Sequence, residues 1–524
     1  MAMEFPVTES SGAPVLRARA LASAIAGALA LALTGAQAQA LMPAGMGASS
    51  TDGAAREPLA PGQSQFAAGA RTGLMLSNNL DLRPDSLPSS GSTLFEISPW
   101  SSYRTMTSRG LIEARAILRG QYREGASDAV RLRTTLSASG DLRLHEDWLH
   151  LAARTSVQQI NVDPFSANSA DPSSQVANTS TLKHVEISPY ARGRFDGNGL
   201  WHANYSLRYI DPGVSGATAS IGSNVNQTLR LGLRTDLSRR TLGLSLDGRQ
   251  SRVDYNSGFD YQMADLEALG WWRASAALRV GAGAGWFRHD LLRNSDGKYE
   301  SIGGVVSAQW NPSPRTSASL RWADQHSREH LSANLDHRFG RWTYRASYLR
   351  ALQDGNATIL SNQTSLAALL AQQAQTRSLS ESDFQVASLV RSPVVRTEHI
   401  NLGASAQGAR TTLHGNLFLV DRASVVSLPG LPVIDLQQRG AWLAASYRLD
   451  GSQSLNLGLR YTQSDSDLND AHARLTTLTG SWDTRLTPRW SLSLGARAQR
   501  QTARGNAVAY DEAAVFATTH IRFQ

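Results

Sequence analysis

The chain has 524 residues, 41% of them apolar and 18% charged, which is too polar for a bundle of membrane-spanning helices and too poor in charge for a disordered protein. Basic residues outnumber acidic ones by 51 to 43, and all but Lys183 and Lys298 are arginines spread evenly along the chain. A DNA-binding protein concentrates its charge on a patch or helix, so nucleic acid is excluded as a partner, and the absence of cysteine removes disulfides, thiolate metal sites and lipid attachment through an N-terminal cysteine.

At the start, Arg17 and Arg19 precede an apolar run from Ala20 to Leu33, and the small residues Ala36, Ala38 and Ala40 follow. Residues 1–40 therefore read as a secretory signal peptide, its apolar run short of the roughly 20 residues of a transmembrane helix. Residues 41–70, rich in Ala, Gly, Pro and Ser without periodicity, read as a flexible periplasmic arm.

From Arg71 onward one unit repeats, and Thr228 to Asp247 displays it. Leu229, Leu231 and Leu233 alternate with Arg230, Gly232 and Arg234; after Ser238-Arg239-Arg240 the alternation resumes as Leu242, Leu244 and Leu246 against Gly243, Ser245, Asp247 and Arg249. A period of two with one apolar and one polar face is an antiparallel hairpin. The same pattern predicts strands near 72–82, 93–104, 109–122, 128–141, 146–160, 181–195, 198–211, 225–237, 240–254, 260–271, 273–289, 299–311, 314–325, 329–339, 341–352, 395–407, 409–422, 436–449, 452–465, 471–485, 487–501 and 510–523. That is about 22 strands, within 20–24.

Connections after even-numbered strands are short, as at Thr107 to Gly110 and Phe339 to Arg341, whereas many after odd-numbered strands are long, including 161–180, 212–224, 353–394 and 423–435. Short turns at one end and long loops at the other describe an all-β, transmembrane, antiparallel up-and-down barrel over 71–524, with short periplasmic turns and longer extracellular loops in the bacterial outer membrane. A soluble sandwich or propeller predicts no such alternation. Trp148, Trp201, Trp271, Trp272, Trp310, Trp342 and Trp490 fall near the short turns, where an aromatic girdle sits. The last strand places Val515, Ala517, Thr519, Ile521 and Phe523 on one face, like the terminal strand that barrel-assembly machinery recognises.

Arginine on the polar face is the most informative chemistry: Arg115, Arg119, Arg208, Arg230, Arg234, Arg249, Arg345, Arg460 and Arg497. Facing lipid each would cost about 2–4 kcal/mol at mid-bilayer, so they are expected to line the lumen. Either they make a cationic interior that favours anionic solutes, or they brace the wall by pairing with Glu113, Asp247 and similar neighbours.

Gly281-Ala-Gly-Ala-Gly285 has its glycines at every second residue, on one strand face, rather than in a nucleotide-binding turn. His326-Ser-Arg-Glu-His330 matches an inverted zinc-protease pattern but falls at a predicted turn where no helix aligns its histidines, so no metal and no cofactor is expected. No Ser, His and acidic set marks a catalytic site, and the chain reads as a non-enzyme. The long loop 353–394 holds a predicted helix, Thr364 to Ala374, and either constricts the pore, covers its mouth or is a passive surface loop. About thirty residues before the first strand leave no room for the plug domain of energised siderophore transporters.

Thr72-Gly-Leu-Met-Leu-Ser-Asn-Asn-Leu-Asp-Leu82 followed by Leu94-Phe-Glu-Ile-Ser-Pro-Trp100 resembles the first hairpin of an uncharacterised family of PEP-CTERM-system-associated outer-membrane β-barrel proteins. The insertion after Leu352, overall length and strand spacing are similar too. The resemblance implies a barrel encoded beside exopolysaccharide and protein-sorting genes, with outer-membrane lipid, polysaccharide and envelope secretion components as partners; it carries over no catalytic residues. Three functions follow as expectations: a channel for exopolysaccharide or another anionic solute, a plugged barrel acting as a structural or docking component, and a barrel enzyme.

Overall fold

The structure is a computed structural model that describes residues 60–523 except 89–90, 125–129, 146–147, 169–177, 196–198, 214–221, 236, 238–239, 291–297, 325–329, 357–392, 427–434 and 468–469. The signal peptide, most of the arm, the Thr364 to Ala374 helix and most of the His326 to His330 motif lie outside the described residues.

The strands are β1 (Gln63–Ser77), β2 (Ser92–Thr107), β3 (Gly110–Arg123), β4 (Val130–His145), β5 (Leu149–Asn161), β6 (Thr179–Phe195), β7 (Gly199–Asp211), β8 (Asn224–Thr235), β9 (Leu242–Tyr255), β10 (Asp260–Arg273) and β11 (Leu278–Asp290) in the first half. The second half comprises β12 (Lys298–Ser313), β13 (Thr316–Ala323), β14 (His330–Phe339), β15 (Trp342–Asp354), β16 (Val394–Gln407), β17 (Thr411–Ser424), β18 (Leu436–Arg448), β19 (Gln453–Ser466), β20 (Ala471–Thr487), β21 (Trp490–Arg504) and β22 (Tyr510–Arg522). Each strand pairs antiparallel with its neighbours in sequence, and β22 pairs with β1 from Gly69↔Arg522 to Ser77↔Ala514. Closure leaves no unpaired edge, which is the condition for a sheet to cross hydrocarbon.

β1 begins at Gln63, so residues 63–70 of the stretch read as an arm belong to the barrel wall, paired with Met106 to Pro99 of β2. Their outward side chains, Phe66, Ala68 and Ala70, are mostly too small to stand out as an alternating pattern. The tight ends use the expected backbone chemistry: Gly340, between β14 and β15, has φ +57° with nothing near a Cβ, so the turn itself demands glycine.

Antiparallel partners share a face, so the registers carry one assignment around the whole ring. Arg230 faces with Arg249, Arg249 with Asp265, and Asp247 with Glu267. Arg321 of β13 meets Glu267 of β10 although two strands lie between them, and such a contact is possible only inside the barrel. The opposite face carries Leu231 at 52% and Leu244 at 70% exposure, with Leu229, Leu233, Leu242, Leu246, Ile302 and Leu457 exposed beside them. An apolar band this continuous is stable only against lipid. The protein is a 22-stranded transmembrane barrel.

At the short-turn end, Trp272, Trp310, Trp342 and Trp490 sit exposed on the lipid face, and Trp148 is exposed at its turn. Trp271 departs from the girdle reading. Adjacent residues of a strand point to opposite faces, and Trp271 points inward, its indole Nε1 donating to Ser245 Oγ at 2.9 Å. It covers Gly281, where a Cβ would lie 2.8 Å from its ring, while Phe287 covers Gly285 in the same way. The alternating glycines thus make room for inward aromatic rings.

Candidate functional site in the barrel interior

The inner wall carries a belt of charge. On β2 and β3, Arg119 approaches Glu96 at 3.3 Å, and Gln121 and Ser98 also donate to that carboxylate. On β6 and β7, Arg208 meets Glu186 at 3.1 Å, with His184 at 3.6 Å. Arg321 joins Glu267 and stands 2.9 Å from His330. On β21 and β22, Arg497 binds Glu512 at 2.9 Å, with side chains 4% and 0% exposed, and Ser77 donates to the same carboxylate. Arg345 pairs with Asp336 at 3.0 Å, and Arg460 Nε donates to Thr462 at 3.2 Å.

Not all nine arginines singled out from the sequence are matched by an acid. All stand on the inner face by register. Arg115 lies opposite Ser102 and Ser137. Arg230 and Arg249 lie opposite each other on β8 and β9, and Asp247 is within electrostatic range of Arg234, His202 and Arg321. Of the two acids expected as braces, Glu113 pairs with Arg104 at 2.7 Å. The acids that hold most of the belt, Glu96, Glu186, Glu267 and Glu512, are ordinary polar-face residues in the sequence; only the register marks them as partners.

Water reaches part of this belt. Along β8 the inner residues Asn224, Asn226 and Thr228 at the long-loop end are buried, whereas Arg230 and Arg234 farther down are exposed. β9 repeats the gradient, with Tyr255, Val253 and Ser251 buried and Arg249 and Asp247 exposed. Beside β8 and β9 the interior is open at mid-wall and packed toward the long loops, whereas on β18 to β20 the inner residues Ala444, Asn456, Ser481 and Asp483 toward the short turns are buried as well.

Two constructions pack the long-loop end. In the first, the segment Val162 to Asn168 after β5 leaves its own wall and crosses to β18 and β20 to β22. Phe165 packs against Leu436, Ala471 and Ala473, the Phe165 carbonyl accepts from Val508 N at 2.8 Å, Gln501 Nε2 donates to Ser166 O at 3.0 Å, and Tyr510 OH donates to Asn168 O. Asp163 caps the turn by accepting from Phe165 N at 2.9 Å and Ser166 Oγ at 3.0 Å. Asn178 ties the segment together, accepting from Asp163 N and donating to Asp163 O, Ala167 O and Asn168 Oδ1. Leu82, held at φ +51°, buries itself against Tyr510 and Ala167 from the first loop. Beneath the crossing, Gln438, Arg460, Thr462 and Gln501 together with Pro164, Ala473 and Leu475 line a cavity of about 20 Å³, room for roughly a single water.

In the second construction, Ile160, Leu182, Ile210, Val253, Tyr255 and Tyr261 from β5 to β10 pack against Val394 and Val395 of β16. Asp354 anchors this contact, accepting from Asn224 Nδ2 at 2.9 Å and Tyr255 OH at 3.1 Å. Tyr255 OH is also 3.1 Å from the Pro393 carbonyl. The 353–394 loop, expected to constrict or cover the pore, is described only at its two ends, and both ends join this cluster. The Val162 to Asn168 crossing carries no sequence pattern beyond the Asp163-Pro164 turn signal.

No protein-family profile matches the sequence, and no curated protein matches it. Among solved structures, the barrel is similar to the Escherichia coli K12 ferric-catecholate import receptor Fiu in its open form, at 8% identity over 87% of this chain and 81% of that one, with a TM-score of 0.48. It is also similar to the Neisseria meningitidis iron transporter FrpB (F3-3 variant), at 11% identity over 87% and 81% and a TM-score of 0.44, and to the Acinetobacter baumannii siderophore receptor PirA, at 8% over 87% and 80% and 0.42. Likenesses at this level carry no family, substrate or partner to this chain.

Proposed function

We propose that the protein is a bacterial outer-membrane channel for an anionic solute, associated with exopolysaccharide export or the PEP-CTERM surface-sorting system, and held closed at its long-loop end in the conformation described. The observation that carries this reading is the water-accessible arginine pair Arg230 and Arg249: two like charges directly opposite are unfavourable unless anions or water attend them. Guanidinium groups offer such anions bidentate hydrogen bonds and stay charged throughout. The resemblance of the Thr72 to Trp100 hairpin supports the association with polysaccharide export.

A second reading, a plugged barrel serving as a structural or docking component of the envelope, is favoured by the packing of Phe165, Leu82 and Val394 across the interior. Ion flux separates the two. In planar bilayers, a chain lacking residues 163–177 conducts with anion selectivity if the channel reading holds. Absence of conductance from that chain, and from one lacking 353–394 as well, leaves the scaffold reading.

A further inference from the structure

We propose that Arg422 and Thr397 form a binding site for an anionic oxygen group, a carboxylate or a phosphate, at the long-loop end of the barrel. The two residues stand directly opposite each other on β17 and β16, on the inner face. Arg422 is 2% exposed and Thr397 3%. The Nε, Nη1 and Nη2 of Arg422 and the hydroxyl of Thr397 are enclosed without a hydrogen-bond partner among the described residues. Two other buried guanidinium groups meet carboxylates, Arg497 with Glu512 and Arg123 with Asp81. A guanidinium keeps its charge when buried, and a buried charge without a counter-charge is among the most destabilising arrangements in a protein.

The chemistry of the missing group follows from what the pocket offers. Arg422 presents donors in a planar fork and no acceptor, and the Thr397 hydroxyl opposite it can donate as well. An oxyanion supplies acceptors alone and matches the fork with paired oxygens. The buried side chains of Val395 and Val420 share the inner face on either side, and Leu436 lies opposite Arg422 on β18. The polar His399 and Gln438 stand on the same face opposite Val420, and the burial of this surround keeps out the water that would otherwise screen the attraction. Arg422 is two residues from the end of β17, so the group enters from the long-loop side. The inference goes beyond the channel reading, since binding here requires no flux.

The test is calorimetric titration of the full chain in detergent micelles at constant ionic strength, with inorganic phosphate, D-glucuronate and, as a neutral control, glucose. The expected result is saturable binding of at least one oxyanion and none of glucose, weakened about tenfold or more in Arg422→Met and about threefold in Thr397→Val. Preference for phosphate assigns a phosphate source, and preference for glucuronate an acidic sugar. The unliganded Arg422→Met barrel is expected to melt no lower than wild type, because it removes an orphaned charge. Equal binding by Arg422→Met, or no saturable binding of either anion up to about 10 mM, overturns the site. So does a lower melting temperature in Arg422→Met, which would mean that the chain supplies its own acceptor. Should Arg422→Met fail to assemble, Arg422→Lys decides: it keeps the charge but loses the fork, and unchanged binding overturns the proposal. Because no membrane potential or flux enters the measurement, a failed conductance experiment leaves this result intact, and a failed titration leaves conductance to be judged alone.

Discussion

Arg230 on β8 and Arg249 on β9 stand directly opposite each other, like charge against like, in the water-accessible part of the interior. Arg249 also faces Asp265 on β10, whereas the other cross-strand neighbour of Arg230 is the neutral Asn204. Removing the Arg230 charge therefore relieves repulsion without orphaning an acid. Arg230→Gln is expected to leave the barrel as stable as wild type or stabler by about 0.5 kcal/mol, and to reduce anion selectivity. Thermal unfolding in micelles and reversal potentials across a salt gradient in a conducting variant measure the two effects.

The two faces of β8 make opposite demands on neighbouring residues. Leu231 faces lipid, so Leu231→Arg costs about 2–4 kcal/mol near mid-bilayer and is expected to block membrane assembly. Gly232 faces inward, where an added Cβ would come 2.0 Å from the His202 ring. Gly232→Ala must push that ring aside, and Gly232→Arg crowds the interior further, yet both are expected to assemble. The heat-modifiable mobility of a folded barrel on gels reports assembly; equal defects on both faces would undo the face assignment.

Asn178 makes four hydrogen bonds to the crossing segment. Each is worth about 1 kcal/mol net. Asn178→Ala is expected to loosen the crossing while leaving the wall pairings intact, seen as earlier proteolysis between residues 162 and 178. Tyr510→Phe, which removes only the donor to the Asn168 carbonyl, should act in the same direction and more weakly.

The Arg497 and Glu512 pair is buried almost completely. Removing one partner leaves an uncompensated charge, so Arg497→Met is expected to destabilise the barrel by about 3–5 kcal/mol. Replacing both residues by apolar ones should restore much of the loss. A double variant no stabler than Arg497→Met would mean that the Ser77 and Met75 contacts, rather than charge pairing, dominate there.

At the tight turn between β18 and β19, the backbone N–H groups of Ser452 and Gln453 donate to Asp450 Oδ1 at 2.6 and 2.8 Å, and the Ser452 hydroxyl at 2.8 Å. The Ser452 N–H chiefly holds the Asp450 carboxyl below its ordinary value. A carboxyl whose folded pKa is depressed adds stability that is complete above its unfolded value, about 3.9, and lost as pH falls through the folded one. Titration of Asp450 by NMR is expected to give a midpoint below that of an unstructured aspartate, and Asp450→Ala should loosen this turn at every pH and so remove its acid dependence.

Much of the wall was legible in the sequence because each strand separates two solvents. Leu229, Leu231 and Leu233 against Arg230, Gly232 and Arg234 reveal a strand wherever lipid and a polar interior lie on opposite sides. The start of β1 was hidden because Ala68 and Ala70 satisfy lipid without announcing it. Trp271 and Trp272 shared a girdle reading although adjacent strand residues cannot share a face. The crossing by Val162 to Asn168 was not legible, since packing Phe165 against Leu436 and Ala471 joins segments some three hundred residues apart that no local period links. Nor was Arg422, whose neighbours emerge only once β16, β17 and β18 are in register.

The arginine-bearing interior beside β8 and β9 is proposed as a conduit closed at the long-loop end by the crossing segment. Single-channel conductance in planar bilayers, comparing the full chain with one lacking residues 163–177, tests it most directly. The full chain is expected to stay largely closed, and the deletion to give long-lived, anion-selective openings. Equal, wide conductance from both would contradict the closure, and silence from both would contradict the conduit.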